Sequence, residues 1–527
     1  MKTPGVYIVE KSAFPNTVVE ASTAIPAFIG ITEKACNGAD SLAGKPWKIS
    51  SMTEFQQFFG GAPHPKFLLS VAEKSAGEAA KAFFSFPSQD GSKVLCVEDQ
   101  GNPFSLYYHM VMFFANGGGT CYIVSVGTYD EGNPVDKDKV VAALAALKKE
   151  QEITMVVVPE AASVKDCKDI QTQVLAHCGE MMNRFAILDV QPKEKENDTM
   201  AQQVDAFRTR IGANYLSYGA AYYPWLNTSV LSEKDIDGSV LTWNFEQGAP
   251  DITPFFEDDS KFPAYFKSVF EEIRKGAGAP PAGKAAKEKA AETAPKKEAV
   301  LSADQLAALK NNLHNAFLQN SKDYQYIVNK VREKLNLLPP SAAMAGLYTM
   351  VDNTRGVWKA PANVSVNYVN SPAENIDSAG QEDLNMPMNG KAVNAIRTFP
   401  GEGIKVWGAR TLDGNSQDWR YVNVRRTMMF LEESVKNAAK AYVFEPNVAG
   451  TWMNVRSMID NFLRGVWKRG GLAGSTPEEA YEIHVGLGDT MTPEDVLDGI
   501  MRITVLVAVS RPAEFIEITF QQQMQKS

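Results

Sequence analysis

Two kinds of hydrophobic patterning divide this chain. Between residues 120 and 190, short apolar runs alternate with helical stretches. Thr120 to Val126 (TCYIVSV), Ile153 to Val158 (ITMVVV) and Arg184 to Val190 (RFAILDV) are rich in β-branched residues, whereas Lys139 to Lys149 and the stretch around Ile170 to Cys178 have helical character. Strands alternating with helices at this spacing predict βαβ units and a mostly parallel sheet. Ala307 to Leu335 predicts a further helix that stops before Pro339-Pro340.

Beyond residue 420 the pattern changes. Tyr421, Val424, Met428, Leu431 and Val435 recur at intervals of three and four, as do Trp452, Val455, Ile459, Phe462 and Val466, so two amphipathic helices are expected, the second ending near Gly470-Gly471. Thr476-Pro477-Glu478-Glu479 and Thr492-Pro493-Glu494-Asp495 each pair a capping residue with a proline at the first helical position and an acid three residues on. Ile503 to Val509 reads as a buried strand. After Arg511-Pro512 comes an alternating run in which Ile516, Ile518 and Phe520 face one way and Phe515, Glu517 and Thr519 the other. This half is expected to be helix-rich α+β.

The start, Pro4 to Glu10 (PGVYIVE), reads as a lone strand with no hairpin partner nearby. Two readings stand open for both end strands: each completes a sheet within its own subunit, or each is an arm that adds a strand to a neighbour's sheet, which is β-augmentation. Lys275 to Val300 (KGAGAPPAGKAAKEKAAETAPKKEAV) lacks aromatics and is rich in Ala, Lys, Pro and Gly, so a flexible surface insertion over 275–300 is expected.

Composition narrows the classes. The 527 residues are enough for roughly three or four domains. A formal net charge of -9 argues against a broad nucleic-acid-binding role, which needs concentrated Lys and Arg. Five cysteines, odd in number and none in a CxxC pair, read as buried or free thiols in a reducing cytosol rather than a disulfide framework. No apolar h-region follows Met1-Lys2, and no uninterrupted apolar stretch reaches the ~18 residues of a membrane span. Synthesis in the cytoplasm, without direct membrane insertion, is therefore the expectation.

Each trial for catalytic chemistry fails on the residues. Asn116-Gly117-Gly118-Gly119-Thr120 lacks the Gly-Lys-Ser/Thr of a phosphate loop and precedes a strand, so it reads as a turn. Ser341 follows two prolines and opens an apolar helical stretch, the place of a helix cap, and no His-Asp partner can be nominated for it. His64, His109, His177, His314 and His484 are scattered, and Glu257-Asp258-Asp259 reads as solvated surface. No catalytic residue, metal or cofactor is expected.

A resemblance then adds to this reading. Ile396-Arg397-Thr398-Phe399-Pro400-Gly401-Glu402-Gly403-Ile404-Lys405-Val406-Trp407-Gly408-Ala409-Arg410-Thr411-Leu412 resembles the hallmark segment of contractile tail sheath proteins. So do Trp419 to Arg426, Phe430 to Ser434, Phe444-Glu445-Pro446-Asn447 and Arg511-Pro512-Ala513-Glu514-Phe515, in the family's order. Arg355 to Asn363 is similar to the segment closing the family's α/β domain, and Pro4-Gly5-Val6-Tyr7 with Phe28-Ile29-Gly30 to its N-terminus. The stretch from about Thr128 to Asn336 is less distinctive. The resemblance covers phage tail sheaths and the sheaths of extracellular phage-tail-like injection systems.

The resemblance implies a subtilisin-like but non-catalytic α/β domain, with Ser341 a relic or a cap, joined to a helix-rich α+β sheath domain. The expected division is 1–25, N-terminal arm; 26–363, α/β with the insertion 275–300; 364–510, C-terminal α+β domain; and 511–527, C-terminal arm. The implied function is structural: stacked hexameric rings around an inner tube protein, bounded by baseplate and terminal cap proteins, that contract to drive the tube through a target envelope. Val6, Tyr7, Ile8, Val9, Phe515, Ile516, Ile518 and Phe520 are the expected arm-strand residues, and Ile503, Val505 and Val507 mark the acceptor strand. Arg425, Arg426, Glu432, Arg456 and Arg464 are candidate contacts to neighbours or tube, with a solvated helix face the equally weighted alternative. The competing class is an α/β hydrolase using the subtilisin-like domain.

Overall fold

The computed structural model describes residues 18–73, 83–102, 104–193, 198–245, 248–257, 260–277 and 301–519. A nine-stranded sheet forms the centre. In chain order its strands are Pro26–Thr32 (β1), Trp47–Ile49 (β2), Cys121–Thr128 (β3), Met155–Val157 (β4), Phe185–Asp189 (β5), Gly219–Tyr223 (β6), Val364–Ser365 (β7), Asn394–Phe399 (β8) and Gly403–Val406 (β9). Their order in space is β7-β9-β8-β6-β5-β4-β1-β3-β2. From β3 across β1, β4, β5 and β6 to β8 every pair is parallel, while β2, β9 and β7 pair antiparallel at the margins.

The central strands are apolar on both faces because helices cover both. Side chains alternate across a strand, so Phe28 and Ile123 meet Met110 and Phe113 of helix Leu106–Ala115 (α1) and Met344 and Leu347 of helix Ser341–Arg355. Ala27, Ile29 and Val124 face the other way, onto Leu144 of Lys137–Leu147 (α2), Val174 of Cys167–Met181 (α3) and Phe207 of Met200–Arg210 (α4). The expected βαβ alternation is present, and the Gly-rich segment 116–120 is the turn between α1 and β3.

Two buried carboxylates hold the helices of the first layer. Glu160 accepts backbone N–H bonds from Ser105 (2.7 Å) and Leu106 (3.0 Å), at the start of α1, and from Ile31 of β1 (2.9 Å). Asp189, at the end of β5, accepts from the Ser341 N–H at 2.8 Å, where the helix Ser341–Arg355 (α5) begins. Each satisfies donors that a helix start leaves open.

A second body has its own core. The strands Leu241–Trp243, Phe67–Glu73, Lys93–Asp99 and Phe84–Pro87 form a sheet in that order. Trp243, Leu69 and Val97 pack with Phe266 of Phe262–Gly276, Phe317 of Ala303–Asn320 and Ile327 of Lys322–Leu335. The single helix expected over 307–335 is thus two. The break is Ser321, whose extended backbone starts a new helix and whose hydroxyl accepts the Tyr324 N–H at 3.1 Å. Nearly all of the Ala/Lys/Pro insertion, residues 278–300, lies outside the described residues.

The C-terminal body holds helices Val422–Ala439 (α6) and Ala449–Lys468 (α7) and a two-stranded sheet of Tyr481–His484 (β10) and Thr504–Val507 (β11). Phe430, Leu431, Val455, Ile459, Phe462 and Ile483 form its core. Thr492 makes the expected capping box with Asp495, whereas the Thr476 side chain makes no cap bond. The division expected between residues 363 and 364 falls inside the nine-stranded sheet, because β7, β8 and β9 come from beyond it and Tyr222 pairs in register with Asn394.

Candidate assembly interface

The sheet of β10 and β11 pairs Tyr481 with Val507 and Ile483 with Val505 on the side facing the C-terminal core. Glu482 and His484, opposite Leu506 and Thr504, point outward. Among the described residues no third strand pairs with either member. Ile503, Val505 and Val507, the residues expected to mark an acceptor strand, each pack against that core, and the strand itself spans Thr504–Val507. Unpaired N–H and C=O groups along such edges are a template for another strand, and two strands alone make a marginal sheet.

The chain leaves this sheet into residues 511–519, which form no strand here. Phe515, Ile516 and Ile518 are 71%, 80% and 70% exposed. Phe520 and the N-terminal residues Val6, Tyr7, Ile8 and Val9 lie outside the described residues. Just before the exposed run, Glu514 is held fast. Arg410 donates to both of its oxygens (3.0 and 2.6 Å), Asn385 donates at 2.7 Å and the Tyr421 hydroxyl at 3.1 Å. Burial alone would raise the Glu514 carboxyl. The donors around it outweigh burial and hold it below the usual carboxylate range. Four residues earlier, the Asn423 amide donates to the Ser510 carbonyl at 3.1 Å.

The N-terminal segment is held in a similar way. Arg426 donates to the Thr23 carbonyl (2.9 Å), the Ala21 N–H donates to the Ser434 hydroxyl (3.0 Å), and Glu20 pairs with Arg469. Thr23 to Ala21 line a cavity of about 270 Å³ together with Thr154, Arg426 and Phe430.

The five charged candidates separate into two groups. Arg425 and Arg426 are almost fully buried within the chain, so neither reading made from sequence, outward contact or solvated face, describes them. Arg425 lies between the rings of Tyr218 and Trp419 (3.8 and 4.5 Å to the centroids), and Arg426 closes a two-bond ion pair with Asp352 at 2.9 and 2.7 Å. Burial pushes the Asp352 carboxyl up, against the pull of Arg426. Glu432, Arg456 and Arg464 are exposed, and Arg464 pairs loosely with Asp460 at 3.5 Å. Arg456 and Arg464 line a groove of about 380 Å³ with Tyr481 and His484, alongside β10.

As a trial nucleophile Ser341 is badly placed. It has no exposed surface, and none of the described histidines hydrogen-bonds to it. His177 contacts Arg184, His314 contacts Tyr324, and His109 lies fully buried, its imidazole driven down to about 3 by desolvation. Sequence reasoning missed the Glu514 cluster, the Asp352–Arg426 pair and the two helix-holding carboxylates. The only signal for the first was that Arg410 and Glu514 both fall in segments quoted for the family resemblance.

Comparison with known proteins places this geometry. The family profile described as the phage tail sheath C-terminal domain matches residues 415–523. The curated tail sheath protein of Vibrio phage KVP40 is 24% identical over 213 residues, 40% of this chain and 30% of that protein. A putative prophage major tail sheath protein of Pseudomonas aeruginosa is 26% identical over 138 residues, 25% of this chain and 34% of its own length. The matched part is therefore about a third of these relatives. Solved structures extend the likeness to nearly the whole chain. The sheath of an extracellular contractile injection system, the PVC sheath complex in its contracted state, is 25% identical with a TM-score of 0.58, covering 99% of this chain and 98% of that one. The contracted helical sheath of the anti-feeding prophage is 25% identical with a TM-score of 0.57, covering 99% and 100%.

Proposed function

We propose that this chain, which carries the tail sheath C-terminal domain and matches contractile sheath chains almost end to end, is a contractile tail sheath protein that polymerises as stacked hexameric rings around an inner tube and contracts to drive that tube through a target envelope. The observation that carries this reading is the two-stranded β10–β11 sheet, to which no third strand pairs among the described residues and from which the chain runs on into the exposed apolar Phe515, Ile516 and Ile518. A strand from a neighbour supplies what both features lack. Head-to-tail contacts that do not close give helical filaments, and donated strands keep neighbours joined while rigid surfaces slide past one another. Each backbone hydrogen bond contributes only about 0.5–1.5 kcal/mol net, but a strand makes several and the lattice repeats them.

In this reading Val6 to Val9 and Phe515 to Phe520 are the donated strands, and Ile503, Val505 and Val507 mark the acceptor. Glu432, Arg456 and Arg464 are the exposed charges available to a neighbour or the tube. The partners are further copies of this chain, the inner tube protein, and baseplate and cap proteins, with assembly in the cytoplasm. The parallel sheet is read as a subtilisin-like scaffold without catalytic use. The extended state is a kinetic trap and the contracted lattice lies lower in free energy, so no nucleotide is spent.

Deleting residues 511–527 tests the reading. Folded, soluble protein that forms no tubes by negative-stain electron microscopy is expected, whereas normal tubes from the deletion would sink the donated-strand model. The hydrolase alternative predicts an activity lost on Ser341→Ala; with the serine buried, no serine-dependent hydrolysis is expected from pure protein.

A further inference from the structure

We infer that helix α6 is a mechanical tie between the two chain exits, so that tension on one terminal segment passes to the other through this helix. The inference rests on the donated-strand reading of the termini.

Both exits are pinned to one element. Tyr421, which caps α6, reaches Glu514 through its hydroxyl, and Asn423 in the first turn holds the Ser510 carbonyl. Farther along, Arg426 holds the Thr23 carbonyl and Ser434 the Ala21 N–H. Asn423 and Ser434 stand about three helical turns apart and so share a face. The C-terminal segment is thus fixed at the start of the helix, and the N-terminal segment is fixed along the turns that follow. Between the exits the covalent chain passes through the nine-stranded sheet, the second body and the C-terminal body. Through α6 the path is one helix long.

The pins are graded for holding. Arg426 is locked by Asp352, with the two side chains 4% and 1% exposed. Arg410, which grips Glu514 with two bonds, is 3% exposed. Two-bond guanidinium–carboxylate pairs resist rotation as well as separation. Each pin also lies between its terminal segment and a strand that a pull would otherwise peel away. A pull on residues 18–20 meets Ser434 and Arg426 before it reaches β1, which begins at Pro26 in the middle of the main sheet. A pull on residues beyond 514 meets the Arg410 clamp before it reaches β11. A protomer held by neighbours at both ends therefore passes load across itself without unravelling either sheet.

Pulling the full-length monomer from its two ends by single-molecule force spectroscopy tests the tie directly. The wild type is expected to give an initial rupture peak, from release of the exits, before either sheet unfolds. Links in series carry one tension and fail at the weakest, so Glu514→Gln and Ser434→Ala should each lower the force of that peak, and the double variant should lower it no further than the weaker single variant. Circular dichroism confirms folding of each variant; should Glu514→Gln fail to fold, Tyr421→Phe removes one hydroxyl from the same clamp and takes its place. An initial peak unchanged in the single variants, or partial losses that add in the double variant, would overturn the tie. An unchanged peak leaves the donated-strand reading standing. That reading instead falls with normal tubes from the 511–527 deletion, whatever the pulling curve looks like.

Discussion

Glu514 and Arg410, 104 residues apart in sequence, close a two-bond ion pair at the point where the chain leaves its folded body. The arginine is almost fully buried and the carboxylate largely so. Such a pair differs from a surface salt bridge, which contributes little, because neither partner can regain water without undoing the packing around it. It sets where the exposed apolar run begins and the direction in which it departs.

The pair should release in acid. The folded Glu514 carboxyl is held below its ordinary value by Arg410, Asn385 and Tyr421, despite burial. Its stabilising contribution is therefore present above the unfolded pKa of about 4.3 and is lost as pH falls through the lower folded value. Hydrogen exchange at residues 511–514, normalised to intrinsic rates, should show protection at pH 6 that fades well below pH 4. Protection that persists undiminished at pH 2 would mean that the ion pair does not hold this segment.

Removing the partner of Arg426 should damage the whole fold. Asp352→Ala leaves a buried guanidinium without its counter-charge, a change that typically costs about 3–5 kcal/mol. A clearly lower denaturation midpoint is expected, and a loss under 1 kcal/mol would show that the Thr23 carbonyl and the Tyr348 ring alone satisfy the arginine.

Stability should fall from mildly acidic to mildly alkaline pH through two groups. Desolvation raises Glu160 and Asp189 each to about 7, against the backbone N–H bonds that favour their charged forms. A raised folded pKa gives stability that is full below the unfolded values of about 4 and lost as pH rises to about 7, on the order of 4 kcal/mol for each group. Glu160→Gln should flatten the slope of unfolding free energy against pH between 5 and 8, whatever offset it adds. A slope equal to that of the wild type would rule out a titrating Glu160 in this range.

The exposed apolar run offers the opposite test. Ile516→Lys with Ile518→Lys alters side chains that touch little in the single chain, so monomer stability should shift by no more than about 0.5 kcal/mol. Tube formation, assayed by sedimentation and electron microscopy, should be lost. Tubes of normal yield would show that these residues do not enter an interface.

What was legible in the sequence was whatever local periodicity controls. The runs at β3, β4 and β5 and the amphipathic helices α6 and α7 stood out because burial on one face or both leaves a repeating mark. The join of β8 to β6 was not legible, since alternation specifies a strand and not its neighbour. Ser321 was hidden because one polar residue inside a helical pattern looks the same whether it rides on a helix or starts a new one. Arg425 and Arg426 were misread because charge on a helix defaults to the solvent side; only the folded chain brings Tyr218, Trp419 and Asp352 around them. The pairing of β10 with β11 and the Glu514 anchor depend on contacts of the same non-local kind.

The helices Phe262–Gly276 and Ala303–Asn320 contribute to one core in the second body, so any chain that joins them has to close a loop between two fixed ends. Each doubling of such a loop costs only about 0.6 kcal/mol in closure entropy. The number of residues joining the two helices can therefore change at little cost, and the position is a natural graft point for a foreign epitope or fluorescent label.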